Sequence, residues 1–130
     1  MKHTIHTLFL APLLFLAVGN LYGAGNGLKG EYFNHTGLVG TPVLTRTDQS
    51  INFIWKDNGP GHGVARNRFS VRWTGQAEAG ATGAYKFVTN SNDGIRVWVN
   101  NVKVIDNWQS HATKKDVSDP VNLTAGQKPI

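Results

Sequence analysis

Beyond Gly23 period-two patterns of apolar residues are common, and no window keeps a sustained helical spacing. Phe69, Val71 and Trp73 alternate with Ser70, Arg72 and Thr74, and Tyr85, Phe87 and Thr89 alternate with Lys86, Val88 and Asn90. A strand turns successive side chains to opposite faces, so each stretch reads as a strand with one buried side. Ile95, Val97 and Val99 share a face, with Arg96 and Trp98 on the other. After Asn100-Asn101 the alternation resumes at Val102, Val104 and Asp106. Asparagine tolerates positive φ better than other non-glycine residues, so Asn100-Asn101 predicts a two-residue hairpin turn. Asn58-Gly59-Pro60-Gly61, Ala79-Gly80, Thr82-Gly83, Asn92-Asp93-Gly94 and Ala125-Gly126 punctuate the rest, and Lys56 to Asn67 reads as a long glycine-rich loop. Short strands so punctuated predict an all-β fold, an antiparallel β-sandwich or barrel-like domain. At 130 residues there is room for one such domain.

The N-terminal stretch has a different character. Lys2, His3 and His6 precede an apolar run of 11 residues, Leu8 to Val18, broken by Gly19 and Asn20. A basic start and an apolar core of this length fit a signal peptide over residues 1–23. The run is too short to span a bilayer, which takes about 20 apolar residues. Cleavage after Gly23 is preferred to cleavage after Ala24, which would set bulky Tyr22 at the −3 position. The alternative is a buried N-terminal helix. The expected product is a secreted domain, extracellular or periplasmic, over residues 24–130.

Cysteine is absent, which excludes a disulfide scaffold, a cysteine zinc site and a thiol nucleophile. The formal charge of +5 falls to +4 when Lys2 leaves with the signal, and the basic residues are scattered. A nucleic-acid binder concentrates its charge on one stripe, so no nucleic-acid partner is expected. The carboxylates Glu31, Asp48, Asp57, Glu78, Asp93, Asp106, Asp116 and Asp119 form no pairing motif. His35, His62 and His111 are far apart, and neither a Gly-x-Ser-x-Gly nor a His-Glu-x-x-His pattern occurs. No catalytic residues are assigned, and the chain is not expected to be an enzyme.

Six separated blocks resemble the protective-antigen-14 domain family, a β-sandwich module of toxins, glycosidases and adhesins. They are Gly27 to Phe33, Ile51 to Phe53, Phe69 to Gly75, Gly83 to Phe87, Ser91 to Asn100 and Val104 to Trp108. Leu123 to Lys128 is similar to the family's turn before its last strands. The resemblance implies one or two strands after that turn, so the domain is expected to be incomplete at its C-terminus. A neighbouring strand would then keep unpaired backbone groups and an uncovered apolar face. The expected fragment is marginal alone, because one strand's apolar burial is worth several kcal/mol against a total of about 5–15 kcal/mol.

In the adhesin members of that family, two adjacent aspartates hold a calcium ion, and the matching positions are Asn92 and Asp93. Calcium takes six to eight oxygens, and an amide with one carboxylate is a weaker pair than two carboxylates. The competing reading of Asn92-Asp93-Gly94 is a tight turn, for which Asp and Gly are the usual residues. Trp98 reads either as a stacking platform for a sugar ring or as core, and Trp55, Trp73 and Trp108 read as core. Asn107 stands beside Trp108, as a ligand contact or as a turn cap. The function expected from the resemblance is a non-catalytic carbohydrate-binding module with a glycan partner. Its ligand-binding residues would be Asn92, Asp93, Gly94, Trp98 and Asn107, with Asn92 and Asp93 as metal ligands. The alternative is a structural or interaction module, a fragment of a larger multidomain secreted protein with no sugar binding.

Overall fold

The computed structural model describes the backbone of residues 4–12, 19–20 and 25–130, and side chains from residue 25 onward. The expected signal-peptide cleavage after Gly23 lies outside the described residues. Twelve strands are present among them, with a single 3-10 turn at Lys56–Asn58. The strands are β1 (Thr4–Pro12), β2 (Gly19–Asn20), β3 (Leu28–Phe33), β4 (Leu44–Asp48), β5 (Ser70–Thr74) and β6 (Gln76–Ala79). The rest are β7 (Gly83–Asn92), β8 (Ile95–Val99), β9 (Val102–Asn107), β10 (Lys114–Val117), β11 (Val121–Leu123) and β12 (Gly126–Pro129). Every recorded pairing is antiparallel.

The long strand β7 is central to one sheet, with β10 and β11 along one side and β1 along the other. The N-terminal segment is therefore extended, with Thr4 opposite Asn92 and Pro12 opposite Tyr85. A second sheet runs β4-β3-β5, while β8-β9 and β12-β6 form two-stranded ladders. The alternation read from the sequence sets the burial. Tyr85, Phe87, Thr89 and Ser91 on β7 are buried, as are Ile95, Val97 and Val99 on β8. These meet Leu28, Ile51, Ala77, Ala79, Ile105 and Leu123 in the main core, and Tyr32, Val64 and Phe69 form a smaller one beside it. The packing is a β-sandwich.

The β8–β9 hairpin turns at Asn100 and Asn101, with φ of 49° and 63°, and Val99 faces Val102 across it. The alternation along β9 departs from the expected phase. A register irregularity after Val97 pairs Val97 with Ile105 and Trp98 with Lys103. The additional residue in β9 reverses its inward face, because side-chain direction has period two. Ile105 is buried, and Val102 is 60% exposed.

Candidate functional site

Three arrangements hold the polar and aromatic side chains together. The first is built on Asp48, whose carboxylate is buried. Its Oδ2 accepts hydrogen bonds from the Tyr32 hydroxyl at 2.6 Å and from Trp73 Nε1 at 2.7 Å. Its Oδ1 accepts one from Arg46 Nε at 2.6 Å, and Arg46 Nη2 donates to the Tyr32 oxygen at 2.8 Å. Gly30 makes this approach possible, since a Cβ there would stand 2.5 Å from Asp48 Oδ2. The Arg46 guanidinium carbon lies 4.7 Å from the Tyr32 ring centre and 5.5 Å from that of Phe53. Phe53, Trp55 and Trp73 stack with nearly parallel rings, Phe53 standing 5.0 Å from Trp55 and 5.8 Å from Trp73. Burial, then the hydrogen bond to Asp48, push the Tyr32 phenol well above its ordinary range. With three donors on one carboxylate, the network is a lock between β3, β4 and β5, not an acid–base pair.

The second arrangement is the loop after β7. Asp93 is 5% exposed, and its Oδ1 accepts from Ser110 Oγ at 2.6 Å and from the His111 backbone N–H at 3.2 Å. Gly94 packs backbone to backbone on the same segment, where a Cβ would meet Gln109 N at 2.8 Å and Trp108 Cα at 2.9 Å. Asn107 donates from Nδ2 to Asp116 Oδ2 at 2.8 Å, which ties the end of β9 to β10. Among the described residues no three His, Asp or Glu side chains gather to hold a metal ion. Asn92 and Asp93 alone fall short of the oxygens calcium takes, and Asp93 is already bonded to the loop that follows β9.

The third arrangement is a cleft of about 440 Å³ between β5 and β8. Ile51, Ile95 and Val97 give it an apolar floor, while Arg72, Arg96 and Trp98 stand along its rim. Leu38 and Gly94 line one end, where Leu38 N–H donates to Ser70 Oγ at 3.0 Å. Ile130 and Asn101 line the other. Trp98 is 45% exposed and takes no place in the core, because it projects from the outer face of β8. Trp73 packs against both cores and Trp55 against the smaller one. Trp108 is half-buried in the cleft wall under the Arg96 guanidinium, 5.3 Å away.

Of the residues singled out from the sequence, the cleft therefore brings together Gly94 and Trp98. Asn92, Asp93 and Asn107 are not among its lining residues. Sequence reasoning missed Arg72, Leu38 and Ile130 in the cleft, and missed the Asp48 network altogether. Arg46 and Asp48, two apart on one strand, offered a signal because they share a face. Their partners Tyr32 and Trp73 come from other strands and gave none.

The PA14 domain profile matches residues 25–128. The chain is 40% identical over 103 residues to Anti-sigma-I factor RsgI3 of Acetivibrio thermocellus, covering 79% of this chain and 16% of that protein. Two solved structures are similar over 92% of the chain. One is an anti-sigma factor domain-containing protein (TM-score 0.71, 34% identity) of which 40% is covered. The other is an anti-sigma factor domain-containing protein from Clostridium clariflavum (TM-score 0.74, 30% identity) of which 41% is covered. The chain thus spans about a sixth of the curated relative and two fifths of the solved ones.

These likenesses overturn the expected function as a carbohydrate-binding module with a glycan partner. The proteins it resembles are anti-sigma factors, and the alternative, an interaction module without sugar binding, agrees with them better. The non-catalytic reading agrees with relatives that are named as anti-sigma factors. The sugar reading followed from the adhesin members of a fold that serves several purposes, and a fold does not fix a ligand. With six blocks in family order and a matching profile over residues 25–128, the chain belongs to the PA14 domain family.

Proposed function

We propose that this chain is a non-catalytic interaction module of a regulatory protein of the anti-sigma-factor kind, acting outside the cytoplasm. The observation that carries the reading is the likeness over 92% of the chain to two anti-sigma factor domain-containing proteins. The basic start and short apolar run before the domain support export. No helix among the described residues is long and apolar enough to cross a membrane. A module of this kind alters the output of its parent by binding, so its deletion is the direct test. In the source cell, an in-frame deletion of residues 25–130 should change transcription from promoters of the regulated sigma factor. Unchanged transcription across growth conditions would overturn the reading. Export is tested separately: the chain recovered outside the cytoplasm should begin at Ala24.

A further inference from the structure

We propose that the loop between Trp55 and Phe69 is a docking surface for an acidic polypeptide segment, held by the side chains of Lys56, Arg66 and Arg68 with His62 at the tip. That the partner is a protein rests on the interaction-module reading above; the surface itself does not.

Six cations of the domain are matched to carboxylates. Lys29 and Arg72 pair with Glu31, Arg46 with Asp48, Arg96 and Lys103 with Asp106, and Lys114 with Asp116. Lys86, Lys115 and Lys128 lack a carboxylate but stand singly on β7, β10 and β12. Lys56, Arg66 and Arg68 share one loop, are exposed, and form no ion pair among the described residues. The loop's one carboxylate is Asp57, so three cations stand against a single anion.

Backbone conformation singles out the same side chains. Positive φ occurs in this loop at Lys56, Gly59, Gly61, His62, Gly63 and Arg68, with 47° at Lys56, 52° at His62 and 60° at Arg68. A residue with a Cβ is strained there and glycine is not. The chain uses glycine at three of these positions and a lysine, a histidine and an arginine at the others. Among the described residues none of those three side chains makes a hydrogen bond or ion pair that would offset the strain. Strained backbone of this kind collects at binding sites.

The loop is also fixed before any partner arrives. Val64 is buried in the smaller core, and its N–H donates to Gly61 O at 3.0 Å, closing the turn that carries His62. Asn34 Oδ1 accepts from Ala65 N–H at 2.6 Å, and Asn34 Nδ2 donates to Gly63 O at 3.2 Å. The two limbs touch, since a Cβ at Gly59 would stand 2.8 Å from Arg66 Cα. Cations on a fixed backbone lose little freedom on binding. Asn58, Val64 and Ala65 direct their N–H groups to acceptors within the domain, so these do not form an outward nest for one compact anion. Charges carried separately on long side chains along two limbs suit carboxylates spaced along a polypeptide.

The test titrates the 130-residue chain with the capped peptide Asp-Ser-Asp-Ser-Asp-Ser-Asp, with its asparagine counterpart, and with inorganic tripolyphosphate, following backbone amides by NMR at low salt. The aspartate peptide should give saturable shifts at Lys56, His62, Arg66 and Arg68, and the asparagine peptide none. A variant with Lys56→Gly, Arg66→Gln and Arg68→Gly should bind about tenfold more weakly, as expected for three exposed ion pairs lost together. Its Tm should equal or exceed the parent's, because glycine relieves the positive φ at two positions. A variant with Lys86→Gln, Lys115→Gln and Lys128→Gln loses the same charge elsewhere and should bind as the parent does. Equal weakening in both variants would overturn the proposal, since net charge alone would then attract the peptide. So would tighter binding of tripolyphosphate at the same amides, or a lower Tm in the first variant, which would show that Lys56 and Arg68 serve the fold. Absence of saturable shifts would overturn the surface while leaving the transcriptional test of the module untouched. Unchanged transcription on deletion, with peptide binding intact, would instead remove the regulatory reading alone.

Discussion

Asp48 is the residue whose surroundings are most demanding. Its carboxylate is held by the Tyr32 hydroxyl, the Trp73 indole and the Arg46 guanidinium. Replacing it with alanine leaves all three donors without their acceptor and strands the Arg46 charge. Breaking such a pair costs about 3–5 kcal/mol when both partners are buried. Arg46 retains some solvent, so Asp48→Ala should lose about 3 kcal/mol, read from the urea midpoint at constant m. Tyr32 adds a dependence on pH. An unfolded chain releases the phenol proton near pH 10, whereas burial and Asp48 keep it on Tyr32 to higher pH in the fold. The folded state then binds more protons than the unfolded one. This contribution is fully present below pH 10 and is lost as pH rises from there through the folded value. A Tyr32→Phe variant should be less stable at neutral pH by about 1–3 kcal/mol, the cost of an unmade buried hydrogen bond. Its stability should fall less steeply above pH 10 than that of the parent, and an identical alkaline slope would refute this account.

The β8–β9 hairpin is the element most fully specified by its own residues. Asn100 and Asn101 both occupy the left-handed region, which costs a typical L-residue about 1–2 kcal/mol and a β-branched one at least as much. Asn101→Val should therefore destabilise the domain by about 1–2 kcal/mol, while Asn101→Gly should be neutral or stabilising, as measured by chemical denaturation. Across the same hairpin Arg96 and Lys103 both pair with Asp106, and they hold its carboxyl below the ordinary aspartate range. All three are exposed, so the network steadies the surface and adds little to stability. The turn and its flanking residues were legible in the sequence because the signal is local. The bulge in β9 was not, since the sequence offers two phases, one burying Val104 and one burying Ile105. The packing against β7 and β3 residues in the main core selects the second.

At the scale of the whole molecule, the loop after β7 acts as a joint. Asp93 and Gly94 fasten the end of β7 to residues 107–111 through side-chain and backbone contacts. A ligand restricted to the native state would add about 2.7 kcal/mol at a hundredfold excess over its Kd. Since Asp93 already serves the fold, melting in excess calcium and in chelator should give the same midpoint. A calcium-dependent rise would show that the joint doubles as a metal site. The N-terminal strand has a consequence on this scale too. Cleavage after Gly23 would remove β1 and β2 and leave the side of β7 opposite β10 and β11 unpaired. A β-domain with open edges is a surface for strand addition, which suits an interaction module.

The sequence by itself determined the all-β class, the position of most strands, the hairpin turn and the family. Those depend on period-two alternation, on local φ preferences and on blocks of residues in order, all written along the chain. It also placed Gly94 and Trp98 together, because Gly94 leads into the strand that carries Trp98. Only the tertiary structure decided that Trp98 faces solvent, that Asp93 is spent on a loop eighteen residues away, and that Asp48 draws donors from three strands. Strand pairing joins residues far apart in the chain, and nothing in a local pattern fixes which edges meet. The cleft between β5 and β8 is of the same kind. It exists because two strands separated by twenty residues and by β6 and β7 lead out to the same neighbour, the end of β12, through Gly75 and Asn100.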